Sequence, residues 1–404
     1  MPNSLKELLL LPHYDVDDFM SVIQHFYSAS QGSREETRMG EQDNSALIVK
    51  WGKKGAIAAI EKGPAFQESD LPAIEAALVS ALGSDRAEIR RFIVMTRRPV
   101  LGAIGFKDWF QLIPAPDAAP RPAFPATGGN PAVLEVMIRA SDNMSIDTRR
   151  AHRAVSEIEA LFAAITKEGV ARVTSGGRPQ WAFLPDSTTQ PMNVQPGYHL
   201  SNFEHRADNF TCIKMLADVD LDVADAYYRS GIDPSIGLCL PETFPALALC
   251  FRNLPTNLKR RFRRAGYWMK VASETMHISK SVAYAATVRA IETVMPLIVP
   301  GEPCGSCGIR PGTQTRQAFA QFVDRLTGQS IEQNKRLAFY DRRSRLVHGD
   351  VIFTWDEEQM SEQSIVLDEM SDTYAILDIA QTVLHNWLCE RSETRLVDGE
   401  LVTK

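Results

Sequence analysis

Arg342, Arg343, Arg345 and His348 fall within a single stretch of seven residues, bracketed by Leu337, Phe339, Tyr340, Leu346 and Val347. A guanidinium holds a phosphate oxygen in charge-assisted contacts, and an imidazole moves a proton near neutral pH, so the pair suits chemistry on phosphodiesters. Gly349 directly follows the histidine. Glycine tolerates positive φ and commonly ends a helix, which would put His348 at a helix C-terminus. There the helix dipole favours the imidazolium. The same residues also suit a solvated helix face closed by a capping histidine, and residue types alone leave both readings open.

Two other clusters compete for attention. Lys259, Arg260, Arg261, Arg263 and Arg264 surround Phe262 in the densest basic run of the chain. Such a run tracks a nucleic-acid backbone, or it forms a solvated helix face with Phe262 turned inward. Cys304 and Cys307 have the knuckle spacing of a structural zinc site. They supply two ligands, so His277, one of Cys212, Cys239, Cys250 and Cys389, or a second subunit would have to complete it; otherwise they are free thiols. Arg149, Arg150, His152 and Arg153 read as an exposed helix face opposite Val155, Ile158, Leu161 and Phe162. No Walker pattern or Gly-x-Gly-x-x-Gly occurs, and Gly176-Gly177 reads as a turn.

The elements that must position these residues follow from length and texture. A chain of 404 residues is too long for one small core and predicts two or three domains. Apolar residues make up 44% and charged residues 23%, an ordinary globular balance. The formal charge is −6, so any nucleic-acid surface must be a local basic patch. The lack of a long apolar run or a signal peptide, with six scattered cysteines, predicts a protein of the reducing cytoplasm.

Periodicity predicts helices over 16–28, 69–82 and 146–167, with Ser69 capping the second and Gly83 and Gly169 as stops. Strands are expected at 47–51 and 56–60 (a hairpin), 91–95, 109–113, 133–138, 170–173 and 180–184. The proline-rich segment 114–131 reads as a linker. From about 218 the pattern turns helical, with helices at 222–230, 241–253, 257–276, 279–295, 315–327, 331–347 and 362–389. The fold class is therefore α+β: a mostly antiparallel sheet region with helices over 1–215, a helical connector over 216–270, and an all-α bundle over 271–404.

Three features of the bundle carry a family resemblance. A Ser/Ala-rich helix leads into Ala290-Ile-Glu-Thr293, a Cys-x-x-Cys-Gly insertion follows, and the chain then reads Tyr340-x-x-Arg343-Ser-x-x-Val347-His348-Gly349. Over about 270–390 this resembles the ApeA-like branch of the HEPN domains. Residues 110–116 and 226–231 resemble the region that accompanies that domain. HEPN ribonucleases place an arginine four to six residues before a histidine. Arg343 fits with four between, followed by the polar Ser344, and Arg342 fits with five. The resemblance implies a helical bundle that cuts RNA without a metal, leaving a 2′,3′-cyclic phosphate and a 5′-hydroxyl. His348 would move the proton, Arg343 would hold the scissile phosphate, and Tyr340 and Ser344 would orient them. Arg345 would join the basic run at 259–264 in touching RNA, and Glu292 would pair with an arginine near the site. It also implies a homodimer, a role in anti-phage defence by abortive infection with tRNA a candidate target, and a phage-derived trigger. The alternative is a non-catalytic HEPN scaffold that binds RNA or a partner protein.

Overall fold

The computed structural model describes residues 16–27, 29–33, 35–41, 44–52, 57–83, 86–115, 130–141, 143–172, 180–182, 192–194, 214–215, 220–222, 227–228, 237–296, 315–328, 331–357, 363–392, 394–397 and 400–403. The fold is α+β. Its contacts divide the chain into two compact units, one of residues 1–91, 108–110 and 135–155, the other of residues 92–107, 111–134 and 156–404. The boundaries expected at 215 and 270 both fall within the second of these units.

In the first unit, helix α1 (Val16–Phe26) precedes strands β1 (Ala29–Gly32), β2 (Glu36–Glu41), β3 (Asn44–Trp51) and β4 (Ile57–Lys62), and helix α2 (Leu71–Gly83) follows. The strands form an antiparallel sheet in sequential order. Phe19, Val22 and Ile23 recur at helical spacing on α1. They bury against Met39, Leu47 and Val49 of the sheet and Ile74 and Leu78 of α2, which drives the unit together. Ser69 does not cap α2. It lies in a single 3-10 turn, Glu68–Asp70, and the α-helix begins at Leu71 with Pro72 in its first turn, where a missing N–H costs nothing.

The larger sheet has six strands in the order β12-β6-β7-β8-β5-β9, formed by β5 (Ala87–Thr96), β6 (Ile104–Phe106), β7 (Phe110–Pro114), β8 (Asn130–Arg139), β9 (Val170–Arg172) and β12 (Lys214–Met215). Sequence reading expects alternation along 133–138. Instead Val133, Leu134, Glu135 and Val136 are all buried, the mark of a strand covered on both faces. Glu135 is tolerated there because Arg91 pairs with its carboxylate. Between β9 and β12, β10 (Gln180–Ala182) and β11 (Met192–Val194) form an antiparallel pair. Helix α3 (Met144–Ile165) ends just before Gly169, which adopts φ +58°.

The helical part begins later than expected. β13 (Asp220–Asp222) pairs in parallel with β14 (Cys239–Pro241), so the start of the helix expected at 241 is strand. Leu238 to Leu240 is a short, fully buried apolar run, which periodicity alone cannot assign to helix or strand. Of the helix expected at 222–230, only Tyr227 and Tyr228 among the described residues are helical. Then come α4 (Phe244–Asn253), α5 (Thr256–Thr275), α6 (Lys280–Val294), α7 (Thr315–Thr327), α8 (Gln333–His348) and α9 (Gln363–Cys389), each within a few residues of expectation. A closing antiparallel hairpin, β15 (Thr394–Val397) and β16 (Glu400–Thr403), has no counterpart in the sequence reading. Within the bundle α6 packs against α5, α8 and α9, and α7 packs against α8 and α9. Phe262 lies at its centre, 5.5 Å from the ring of Phe251 and 5.7 Å from that of Trp387. Gly266 lets α5 approach α3 closely, since a Cβ there would stand 2.1 Å from the carbonyl oxygen of Ala160. Among the described residues no helix is long and apolar enough to cross a membrane.

Candidate active site

Helix α8 carries the Arg/His stretch, and it is held by polar ties more than by core burial. Only Arg336 and Phe339 on it are buried. Arg336 pairs with Asp324 at 2.9 Å, and the hydroxyl of Tyr284 donates to the Phe339 carbonyl at 3.3 Å. The helix stops as the sequence predicts. Gly349 takes φ +78°, its amide donates to Leu346, and the Asp350 amide donates back to Arg345 at 2.9 Å. That arrangement satisfies carbonyls a helix end would otherwise leave orphaned.

Each candidate side chain then has a distinct environment. Arg343 lies on the face turned to α6, where its Nη2 donates to Glu292 Oε2 at 2.9 Å, both side chains being mostly buried. Arg289 shares that carboxylate at 3.2 Å. Arg343 also sits 6.0 Å from the ring centre of Tyr340, which packs against Phe319 at 5.4 Å. Burial pushes the Tyr340 phenol above its ordinary pKa; Glu292 adds to this, and Arg343 and Arg289 oppose it. Arg342 forms an ion pair with Asp372 of α9 and stands 5.8 Å over the ring of Phe353. Arg345 and His348 are exposed, and neither side chain bonds to any described residue.

Helical geometry decides which of these meet. At about 100° per residue, Ser344 and Arg345 share the face of His348, one turn before it. Arg343, five residues before the histidine, lies roughly 140° away around the axis. A single α8 therefore presents two half-sets: Arg343 and Tyr340 on the side of Glu292 of α6, and Ser344, Arg345 and His348 on the other face.

The basic run on α5 has a different fate. Lys259 and Arg263 both pair with Glu157 of α3 at 3.2 Å, and Lys259 lies 5.2 Å over the ring of Phe251. Arg261 donates to the Thr293 and Met295 carbonyls at the end of α6. Phe262 is fully buried. Arg260 and Arg264, one turn apart, are exposed and bond to no described residue.

Cys304 and Cys307 lie outside the described residues. Cys239, Cys250 and Cys389 are free thiols, and among the described residues no group of three or more His, Cys, Asp or Glu is placed to hold a metal ion.

Two supporting residues, Asp372 and Asp356, escape sequence reading. Asp356 accepts from the Ser279 hydroxyl at 2.8 Å and from the Lys280 and Ser281 amides at 2.9 and 2.8 Å. It thereby caps α6, while Phe353 N–H donates to Ser281 Oγ at 2.8 Å. These bonds fasten the segment that follows His348 to the helix bearing Glu292. No local motif announces them, because the partners are more than seventy residues apart. No family model, curated protein or solved structure matches the chain.

Proposed function

We propose that the chain is a metal-independent RNA endonuclease of the HEPN type, acting in the cytoplasm in anti-phage defence. The observation that carries this reading is His348, an exposed imidazole with no partner among the described residues, at a well-formed helix end five residues beyond an arginine held in place by Glu292. Its imidazole would take the proton of a ribose 2′-hydroxyl or give one to the leaving 5′-oxygen. Arg343 would stabilise charge developing on the scissile phosphate, and Arg345 on the histidine's face would hold a neighbouring one. The products would be a 2′,3′-cyclic phosphate and a 5′-hydroxyl; DNA, lacking the 2′-hydroxyl, would not be cut.

One histidine does not serve as acid and base in the same step. A homodimer that turns two α8 ends towards each other would supply the second histidine, on the far side of the phosphate. Val347 and Ile352, each 54% exposed beside His348, are the apolar residues such a pairing would cover. The first unit would sense a phage-derived trigger or position substrate, with tRNA a candidate target. No cofactor is needed for this cleavage, and a zinc ion at Cys304 and Cys307 would be structural. A second reading, a scaffold that binds RNA or a partner protein without cutting it, is favoured by the engagement of Arg342 with Asp372 and of Arg343 with Glu292.

The deciding experiment incubates purified protein with total RNA in EDTA, beside His348→Ala and Arg343→Ala, and repeats the comparison in phage-challenged cells. Cleavage by the parent alone is the expected result. If the parent cuts nothing in either setting, or the variants cut as well, the nuclease reading fails.

A further inference from the structure

The α5 cations that sequence reading assigned to RNA are largely committed to Glu157 and to backbone carbonyls. A substrate strand needs another surface, and the second unit offers one built from three elements of the bundle and the end of β5. Trp355 and Tyr374 are large aromatic side chains that remain 40% and 48% exposed. Between them lies the ammonium of Lys280, 5.3 Å from the Trp355 ring centre and 5.7 Å from that of Tyr374. Lys280 itself is buried, its Nζ donating to the Met276 carbonyl, so it stiffens the two rings as a shared cation beneath them.

The surface continues past Tyr374. The Arg97 guanidinium is anchored on Ser273 Oγ of α5 at 2.6 Å; burial lowers its pKa, and Glu168, then Tyr374 and Tyr227, favour its charge. Four acids lie nearby: Glu168 pairs with Arg98, and Glu369 accepts from the Thr354 hydroxyl at 3.3 Å. Asp356 is taken up by the amides at the start of α6, and Asp378, one turn after Tyr374, faces Lys167 at 3.6 Å. Trp355 stands only seven residues after His348, on the segment that Asp356 and Phe353 fasten to α6.

Rings with a free face beside an anchored cation are what single-stranded nucleic acid requires. Bases of any sequence stack on the rings, and the cation meets the backbone between them. We propose that Trp355, Tyr374 and Arg97 form a track for single-stranded RNA, stacking two bases and contacting one phosphate beside the His348 end of α8. This rests on the nuclease reading for its substrate class, but it concerns binding and is separable from cleavage.

The test uses the full-length chain carrying His348→Ala, in EDTA, with a fluorescein-labelled mixed-sequence RNA oligonucleotide of about twelve nucleotides, a length in the range such tracks cover. Trp355→Ala and Tyr374→Ala should each weaken binding by about tenfold, and Trp355→Phe and Tyr374→Phe should restore most of it. Arg97→Ala should weaken binding and lower the slope of log affinity against log salt by about one. Sedimentation of each variant is measured alongside. Unchanged affinity in the alanine variants overturns the track. So does a loss of binding that accompanies a loss of self-association, since the rings would then be covered by a second copy. Ring-dependent binding by a parent chain that cuts no RNA sustains the track and sinks the nuclease reading. Cleavage and binding that are indifferent to the rings do the reverse.

Discussion

The two arginine-rich stretches of the second unit, Lys259 to Arg264 on α5 and Arg342 to His348 on α8, look alike in charge, and aromatic residues lie within the first (Phe262) and just before the second (Phe339 and Tyr340). Their surroundings differ. On α5 three of the five cations are spent on Glu157 or on carbonyls ending α6, and Phe262 fills the core. On α8 the first two arginines are held by acids of neighbouring helices, while the last two ionisable groups, Arg345 and His348, have no described partner. The α5 stretch has the greater density of charge, yet α8 has the arrangement suited to chemistry: on one helix, a fixed cation and, on another face, a proton carrier with no partner among the described residues. Charge density marks where cations are; the partners available decide whether they fasten helices or meet a substrate.

The largest expected effect lies at His348. If it moves a proton in the rate-determining step, His348→Ala should lower cleavage by about 10²- to 10⁴-fold, read from single-turnover cutting of a labelled RNA in EDTA. A comparable loss is expected for Arg343→Ala, with little recovery in Arg343→Lys, because an ammonium does not reproduce a guanidinium shared between a carboxylate and a phosphate. Lys259→Ala should leave the single-turnover rate within about twofold. A Lys259 effect as large as that of His348 would erase the contrast between the two stretches.

The next effect separates support from chemistry. Glu157 and Glu292 are both mostly buried acids, each serving two cations. Removing either leaves half-buried cations without a partner, so each alanine variant should lose about 2 kcal/mol in denaturant unfolding. Their functional consequences should differ. Glu292→Ala loosens Arg343 and should slow cleavage by tenfold or more, whereas Glu157→Ala should not alter the rate of the folded fraction. Equal effects on rate would mean that Arg343 is merely another fastening.

Much of this was legible in the sequence, and the failures have physical causes. The helices of the bundle were read to within a few residues because their apolar spacing is helical and because glycine, as at Gly349, marks an end through positive φ. The pairing of Glu292 with an arginine near the site was also expected. What went unread was long-range. Asp372 and Asp356 find their partners across thirty and more than seventy residues, and nothing in their own neighbourhood says so. The strand at Cys239–Pro241 escapes sequence reading because a short buried apolar run has no period to read. Glu135 looked like the outward residue of an alternating strand, and only the cover on both faces makes it a buried pair with Arg91. Sequence leaves the α5 run open between a nucleic-acid surface and a helix face, because it shows charge and hides the acid on α3 that pairs with Lys259 and Arg263.

A smaller effect concerns how the end of α8 is tied down. Asp356 caps α6, and Asp356→Ala should cost about 1 kcal/mol as a lost helix cap. Burial opposes ionisation of this carboxyl, but hydrogen bonds from Ser281, Ser279 and Lys280 outweigh it and hold its pKa below the usual carboxylate value. A depressed folded pKa stabilises the fold above the unfolded pKa of about 4, and that contribution fades as pH falls through the folded value. The parent should thus lose stability relative to Asp356→Ala as pH falls below about 4, with the two converging in strong acid. A stability difference unchanged as the pH falls would show that the charge of Asp356 contributes nothing to the cap.

The smallest effect is the most discriminating for α5. Arg260 and Arg264 are its two cations without a described partner, one turn apart on an exposed face. Alanine at both should change unfolding free energy by less than about 0.5 kcal/mol, because no buried partner is stranded. Any role left to them is electrostatic contact with phosphate, which appears in salt dependence before it appears in affinity at one salt concentration. If they touch the RNA backbone, the double variant should reduce the slope of log affinity against log salt by one to two. If the slope is unchanged, the whole α5 run is structural, and the RNA must be held by α8 and the aromatic surface beside it. A slope change in Arg260→Ala and Arg264→Ala, with none in Arg345→Ala, would invert the comparison and make α5 the side that meets RNA.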